Sequence, residues 1–229
     1  CAAAKAKKPD IVFHTDAVQA LGSVPISVKE LGVDLMTVSS HKIYGPKGVG
    51  ALYVKKGFRF TAIQVGGGQE RKMRSGTENV PGIVGFGKAC ELAAQEFSAR
   101  VEHARSMRDR FLRGVLAIPG ARLNGIDPFQ HPEQRHPGNA NVSVQGLEGE
   151  AMLLRLDMAG IAASSGSACT AGSLEPSHVL LAVGCGREIA QGSLRFSFGA
   201  ENTAEDVDYV IAEFQKSVEF LRRLMPAGE

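Results

Sequence analysis

The first hundred residues alternate short apolar runs with polar, turn-forming clusters. Residues 10–13 form an apolar run leading into His14, Thr15 and Asp16. That is the pattern of a buried strand delivering polar groups at its C-terminal end, the end at which open α/β sheets bind ligands. Residues 34–39 and 49–54 repeat the pattern between Gly, Pro and Ser, so three strands are expected to converge on one region. From residue 81 to about 118, apolar positions recur three and four apart, which predicts a long helical stretch linking the sheet to a second unit. Beyond it the pattern predicts a strand at 141–144, a helix at 148–158, a Gly/Ser-rich loop at 164–173, a strand at 194–198 and a final helix at 204–224. Interleaved strands and helices define an α/β or α+β organisation, with domains at 1–98 and 99–229.

Composition narrows the function classes. The 229 residues carry a net charge of +2 with acids and bases intermixed, so no basic stripe marks a nucleic-acid partner. No run approaches the roughly 18 apolar residues of a membrane span, and the opening lacks the apolar region of a signal peptide. The expectation is a soluble, cytoplasmic protein without a membrane partner. Cys1, Cys90, Cys169 and Cys185 show neither CxxC nor Cys/His ligand spacing, which argues against a disulfide framework and a zinc site. His131 and His136 are separated by Pro132, which denies them one helix face, and no metal is expected. The chain starts with Cys1 and a helix-like stretch that runs into Pro9, so it is expected to begin inside a fold.

The richest chemistry lies in Ser39, Ser40, His41 and Lys42, followed by Gly45, Pro46, Lys47 and Gly48. A lysine directly after a strand can form an imine if the apolar strand body desolvates it, and hydroxyls and imidazole can hold phosphate. On spacing alone, a surface lysine beside a turn is the better-supported reading, because any strand-to-loop junction can look like this. The glycines precede a strand and lack a G-K-[ST] ending, so they are not a P-loop. Asp16, with Gln19 just after it, could supply the carboxylate that a pyridinium nitrogen requires, or could cap a helix over 17–21. Cys169 lies in a small, polar segment suited to carrying an exposed nucleophile. Cys90 and Cys185, flanked by Ala, Leu and Gly, read as small buried hydrophobes.

Five ordered blocks resemble one family. They are residues 14–22; residues 39–48; residues 66–71 with 74–80; residues 164–170; and residues 193–197. Together they resemble the cysteine desulfurases (NifS/IscS-like) of the class V aminotransferase group, over essentially the whole chain. The resemblance implies the C-terminal part of a fold-type I pyridoxal-phosphate enzyme: a remnant of the large-domain sheet plus a small α+β domain. It implies pyridoxal 5'-phosphate as cofactor, Lys42 as its Schiff-base lysine and Asp16 as partner of the pyridine nitrogen. Gln19 would bond the phenolic oxygen, and Ser39 and His41 the phosphate. Thr77 would reach the phosphate of the neighbouring subunit in a homodimer. Arg195 would clamp the carboxylate of L-cysteine, as a bidentate donor. Cys169 would accept sulfur as a persulfide and pass it to a sulfur-acceptor or iron-sulfur scaffold protein. A phosphate-binding loop and a ring-stacking histidine belong to the family's other half. Selenocysteine lyase, another class V activity and a catalytically silent scaffold are the rival expectations.

Overall fold

The computed structural model describes residues 1–165 and 176–224, and the chain divides into two compact units, Cys1–Ser98 and Ala99–Glu229.

In the first unit, helix α1 (Ala2–Lys7) precedes a three-stranded sheet of β1 (His14–Asp16), β2 (Leu35–Ser39) and β3 (Gly50–Val54), in that spatial order. β1 and β2 run parallel; β2 and β3 are antiparallel. The strand expected at 10–13 starts later, because the chain is still turning there (Ile11 N–H to the Lys8 carbonyl, 3.1 Å) and the ladder begins only at His14. Helix α2 (Val28–Leu31) lies between β1 and β2; Ser27 Oγ caps it by accepting from Glu30 N–H, which satisfies one orphan donor of the first turn.

The helical stretch predicted from 81 to 118 is two helices, α3 (Val80–Gln95) and α4 (Phe97–Leu116), interrupted at Glu96. The buried positions of α3 are Gly82, Phe86, Ala89 and Ala93. Phe86, Ala89 and Ala93 pack with Ile43 in the first unit. The buried positions of α4 fall largely in the core of the second unit. The periodic pattern thus records two faces serving two cores, and the helix breaks between them. Cys90 is exposed on α3, contrary to the expectation of burial: α3 turns its small residues at 89 and 93, not 90, toward the core. Burial holds for Cys185.

The second unit holds an antiparallel sheet of β4 (Ala121–Leu123), β5 (Asn139–Val144) and β6 (Ser193–Ser197). Helices α5 (Gly149–Met158), α6 (His178–Ala182), α7 (Arg187–Gln191) and α8 (Ala204–Leu224) complete it. β4, α6 and α7 span three to five residues, too few for periodicity to reveal. Alternation along β5 and β6 gives the sheet two unlike faces. Ala140, Val142, Val144, Leu194 and Phe196 join residues of α4, α5 and α8 in one core. Phe111 anchors it, with its ring centroid 4.5 Å from that of Phe196 and 6.5 Å from that of Phe214. The opposite face carries Asn139, Asn141, Ser143, Ser193, Arg195 and Ser197.

Candidate active site

Parallel pairing of β1 with β2 brings two chemically rich strand ends to the same edge of the first sheet. Asp16 is the register partner of Thr37, two residues before Ser39, and Ala17 N–H donates to the Thr37 carbonyl at 2.9 Å. Asp16 is exposed, and its Oδ1 accepts from Val18 N–H at 2.8 Å. This local turn fixes the carboxylate at the strand end, and residues 17–21 form turns rather than a capped helix. Gln19 follows in that turn, exposed and with a polar partner of its own.

After Ser39 the chain enters a 3-10 turn, Ser40–Ile43, closed by Tyr44 in the left-handed region at φ 67°. Ile43 is buried against α3, which leaves the neighbouring His41 and Lys42 exposed. Ser39 Oγ and His41 Nδ1 are 2.8 Å apart. With the hydroxyl donating to Nδ1, the ring proton lies on Nε2, a donor suited to a phosphate oxygen. Lys42 has no hydrogen-bond or ion-pair partner among the described residues. The desolvation expected from the strand body is not supplied within this unit, because the 3-10 turn carries the side chain off the strand.

A carboxylate, a hydroxyl–imidazole pair and an unengaged ammonium therefore stand at adjacent parallel strand ends. This donor set fits a group that combines a cationic ring nitrogen, a phosphate and an aldehyde. Asp16, Ser39, His41 and Lys42 would hold such a cofactor.

The remaining predicted site residues are distributed differently. Thr77 is exposed in the loop before α3, downstream of three successive left-handed non-glycine residues, Glu70, Arg71 and Lys72. Arg195 is half-buried in the second unit, on the polar face of β6. Cys169 lies outside the described residues. Nearby in sequence, Ser164 forms an isolated antiparallel bridge with Arg195. Arg195 N–H donates to the Ser164 carbonyl at 2.6 Å, and Ser164 N–H returns a bond of 3.1 Å to the Arg195 carbonyl. Asn141 is the register partner of Arg195 on the other side, and Asn124 N–H donates to the Asn141 carbonyl at 2.9 Å. Asn124, Asn141, Arg195 and Ser164 thus form one row across the sheet. The sequence reading gave Asn124 and Asn141 no role. The available signal was the polar–apolar alternation of residues 139–144, which puts Asn141 on the polar face of its strand; the register alone sets it opposite the arginine.

Comparison with known proteins places the chain in a family. The family model described as "Aminotransferase class-V" matches residues 2–210, and the chain belongs to that family. It is 52% identical over 221 residues to "Cysteine desulfurase IscS" of Methanosarcina thermophila, a match covering 96% of this chain and 54% of that protein. Among solved structures, one described as "NIFS-LIKE PROTEIN" superimposes with a TM-score of 0.83 at 38% identity, over 94% of this chain and 55% of that one. "SspA in complex with cysteine" gives a TM-score of 0.63 at 31% identity, over 84% and 52%. The mixed α/β fold is that of the NifS-like proteins, and the chain spans about half the length of the relatives it matches.

Proposed function

We propose that this chain carries the lysine and the thiol of a cysteine desulfurase, which takes sulfur from L-cysteine and leaves L-alanine and a persulfide on Cys169. The observation that carries the reading is the meeting of Asp16 with Ser39, His41 and Lys42 at adjacent parallel strand ends. The names of the relatives support the choice of substrate.

Pyridoxal phosphate, when bound, supplies an electron sink that weakens bonds around the substrate Cα. Asp16 would partner the ring nitrogen, Gln19 the phenolic oxygen, and Ser39 and His41 the phosphate. Lys42 would hold the cofactor through its ε-amine, and Arg195 would bind the substrate carboxylate. The Cys169 thiolate attacks the substrate sulfur, the C–S bonding pair stays on the substrate β-carbon, and a proton there completes alanine. The persulfide sulfur then passes to an acceptor or iron-sulfur scaffold protein. The active unit is a homodimer in which Thr77 reaches the neighbouring phosphate. The apolar residues Val80, Ile83 and Val84, exposed just beyond Thr77, support that surface as an interface.

Two substitutions in the full-length protein test the reading. Cys169→Ser abolishes sulfide release while the cofactor absorbance persists; unchanged turnover would refute the role of Cys169. Borohydride reduction followed by peptide mass spectrometry finds the cofactor on Lys42, and Lys42→Ala loses it. An adduct on another lysine would sink the assignment.

A further inference from the structure

We propose that Asn141 is a second donor to the substrate carboxylate, acting beside Arg195 and oriented by a buried chain of hydrogen bonds. The inference rests on the desulfurase reading of Arg195 and adds a residue to it.

The orientation of the Asn141 amide follows from its neighbours. Ser143 Oγ is buried and donates its single proton to the Ile189 carbonyl at 2.8 Å. That hydroxyl can then only accept from Asn124, whose Nδ2 lies 2.7 Å away. Asn124, 1% exposed, is therefore held with its nitrogen toward Ser143, and its second Nδ2 proton goes to Asn141 Oδ1 at 2.8 Å. Asn141 must accordingly present its oxygen to Asn124 and keep its own Nδ2 protons for another acceptor. No such acceptor exists among the described residues.

Asn141 and Arg195 are directly opposed in an antiparallel pair, so their side chains leave the sheet on the same face with Cβ atoms roughly 4.5–5.5 Å apart. Both are half-buried. The Arg195 guanidinium likewise has no partner among the described residues, and the bridge to Ser164 pins its backbone from the other side. Two half-buried donors, one cationic and one neutral, share a face on which no carboxylate among the described residues pairs with them. Neither group is among the buried unpaired atoms, so water can serve both until a planar carboxylate replaces it, with one oxygen shared toward the amide. The neutral amide adds direction without a second positive charge to repel the substrate ammonium.

The test compares L-alanine with L-alaninamide, which lacks the carboxylate, by titrating the cofactor absorbance of the full-length pyridoxal-phosphate-loaded protein. Asn141→Ala is expected to weaken L-alanine about tenfold, the scale of a hydrogen bond to a charged group, and to leave L-alaninamide within about twofold. Because Asn141→Ala strands a buried Asn124 proton, Asn141→Ser, which returns a hydroxyl acceptor to Asn124, is measured beside it. Equal weakening of both ligands, or of neither, overturns the proposal. Arg195→Lys separates the two layers. If it is selective for L-alanine while both Asn141 variants are not, only the role of Asn141 fails. If it is not selective either, the reading of Arg195 fails with it.

Discussion

At position 45 there is no room for a side chain. A Cβ there would lie 2.1 Å from Ser40 Oγ and 2.9 Å from Ala89 Cβ, so glycine is what lets the turn that carries Lys42 close against α3. Gly45→Ala is expected to destabilise the first unit by about 1–3 kcal/mol, the scale of overpacking, as read by urea denaturation. Ser40 itself is 0% exposed and its hydroxyl finds no partner among the described residues. A buried hydroxyl without a bond costs stability, so Ser40→Ala is expected to be neutral or stabilising in the same assay. A clear loss would show that the hydroxyl has an acceptor after all. Neither substitution removes a chemical group that Lys42 uses, yet the first displaces the turn on which Lys42 sits.

At the scale of elements, Asp34 joins α1 to the sheet. It is 7% exposed, accepts from Phe13 N–H at 3.0 Å and from Lys5 Nζ at 2.7 Å, and lies 3.6 Å from Lys55 Nζ. The Lys5 hydrogen bond first, then the Phe13 amide, hold its carboxyl below the ordinary 3.8. A depressed folded-state pKa means that the carboxylate stabilises the fold above its unfolded value, and that this contribution disappears as pH falls through the folded value. Asp34→Asn should therefore lower the melting temperature at pH 7, and the gap to the parent should begin to shrink only below about pH 4. A gap unchanged down to strongly acid pH would show that the loss does not come from the carboxylate's charge. In the second unit the core hangs on Phe111, which is 0% exposed and flanked by Phe196, Phe198 and Phe214. Phe111→Ala is expected to cost about 3–5 kcal/mol in chemical denaturation.

At the scale of the whole molecule, the first unit exposes apolar side chains: Ile63 and Val65 on the loop after β3, and Val80, Ile83 and Val84 on α3. Single exposed apolar residues are ordinary, whereas a run of them on one helix face marks a contact surface. If the proposed homodimer uses this surface, Ile83→Asp in the full-length protein should shift the species seen by light scattering from dimer toward monomer. An unchanged dimer mass would move the interface elsewhere.

The amino-acid sequence by itself determined the candidate chemical groups and their order along the chain. Asp16, Lys42, Cys169 and Arg195 stood out as candidates because each sits in a short block whose residue types are locally unusual, and residues 34–39, 148–158 and 204–224 were legible because burial on one side imprints a period on the chain. Strands as short as β4 left no such imprint, and the stretch 81–118 looked continuous because both its halves are helical. Only the tertiary structure decided which strand lies beside which. The parallel register that sets Asp16 beside the Ser39–Lys42 turn, and the row Asn124–Asn141–Arg195–Ser164, join residues from 17 to 54 positions apart. Strand register is a property of pairing between distant segments, and no local pattern in either segment records its partner.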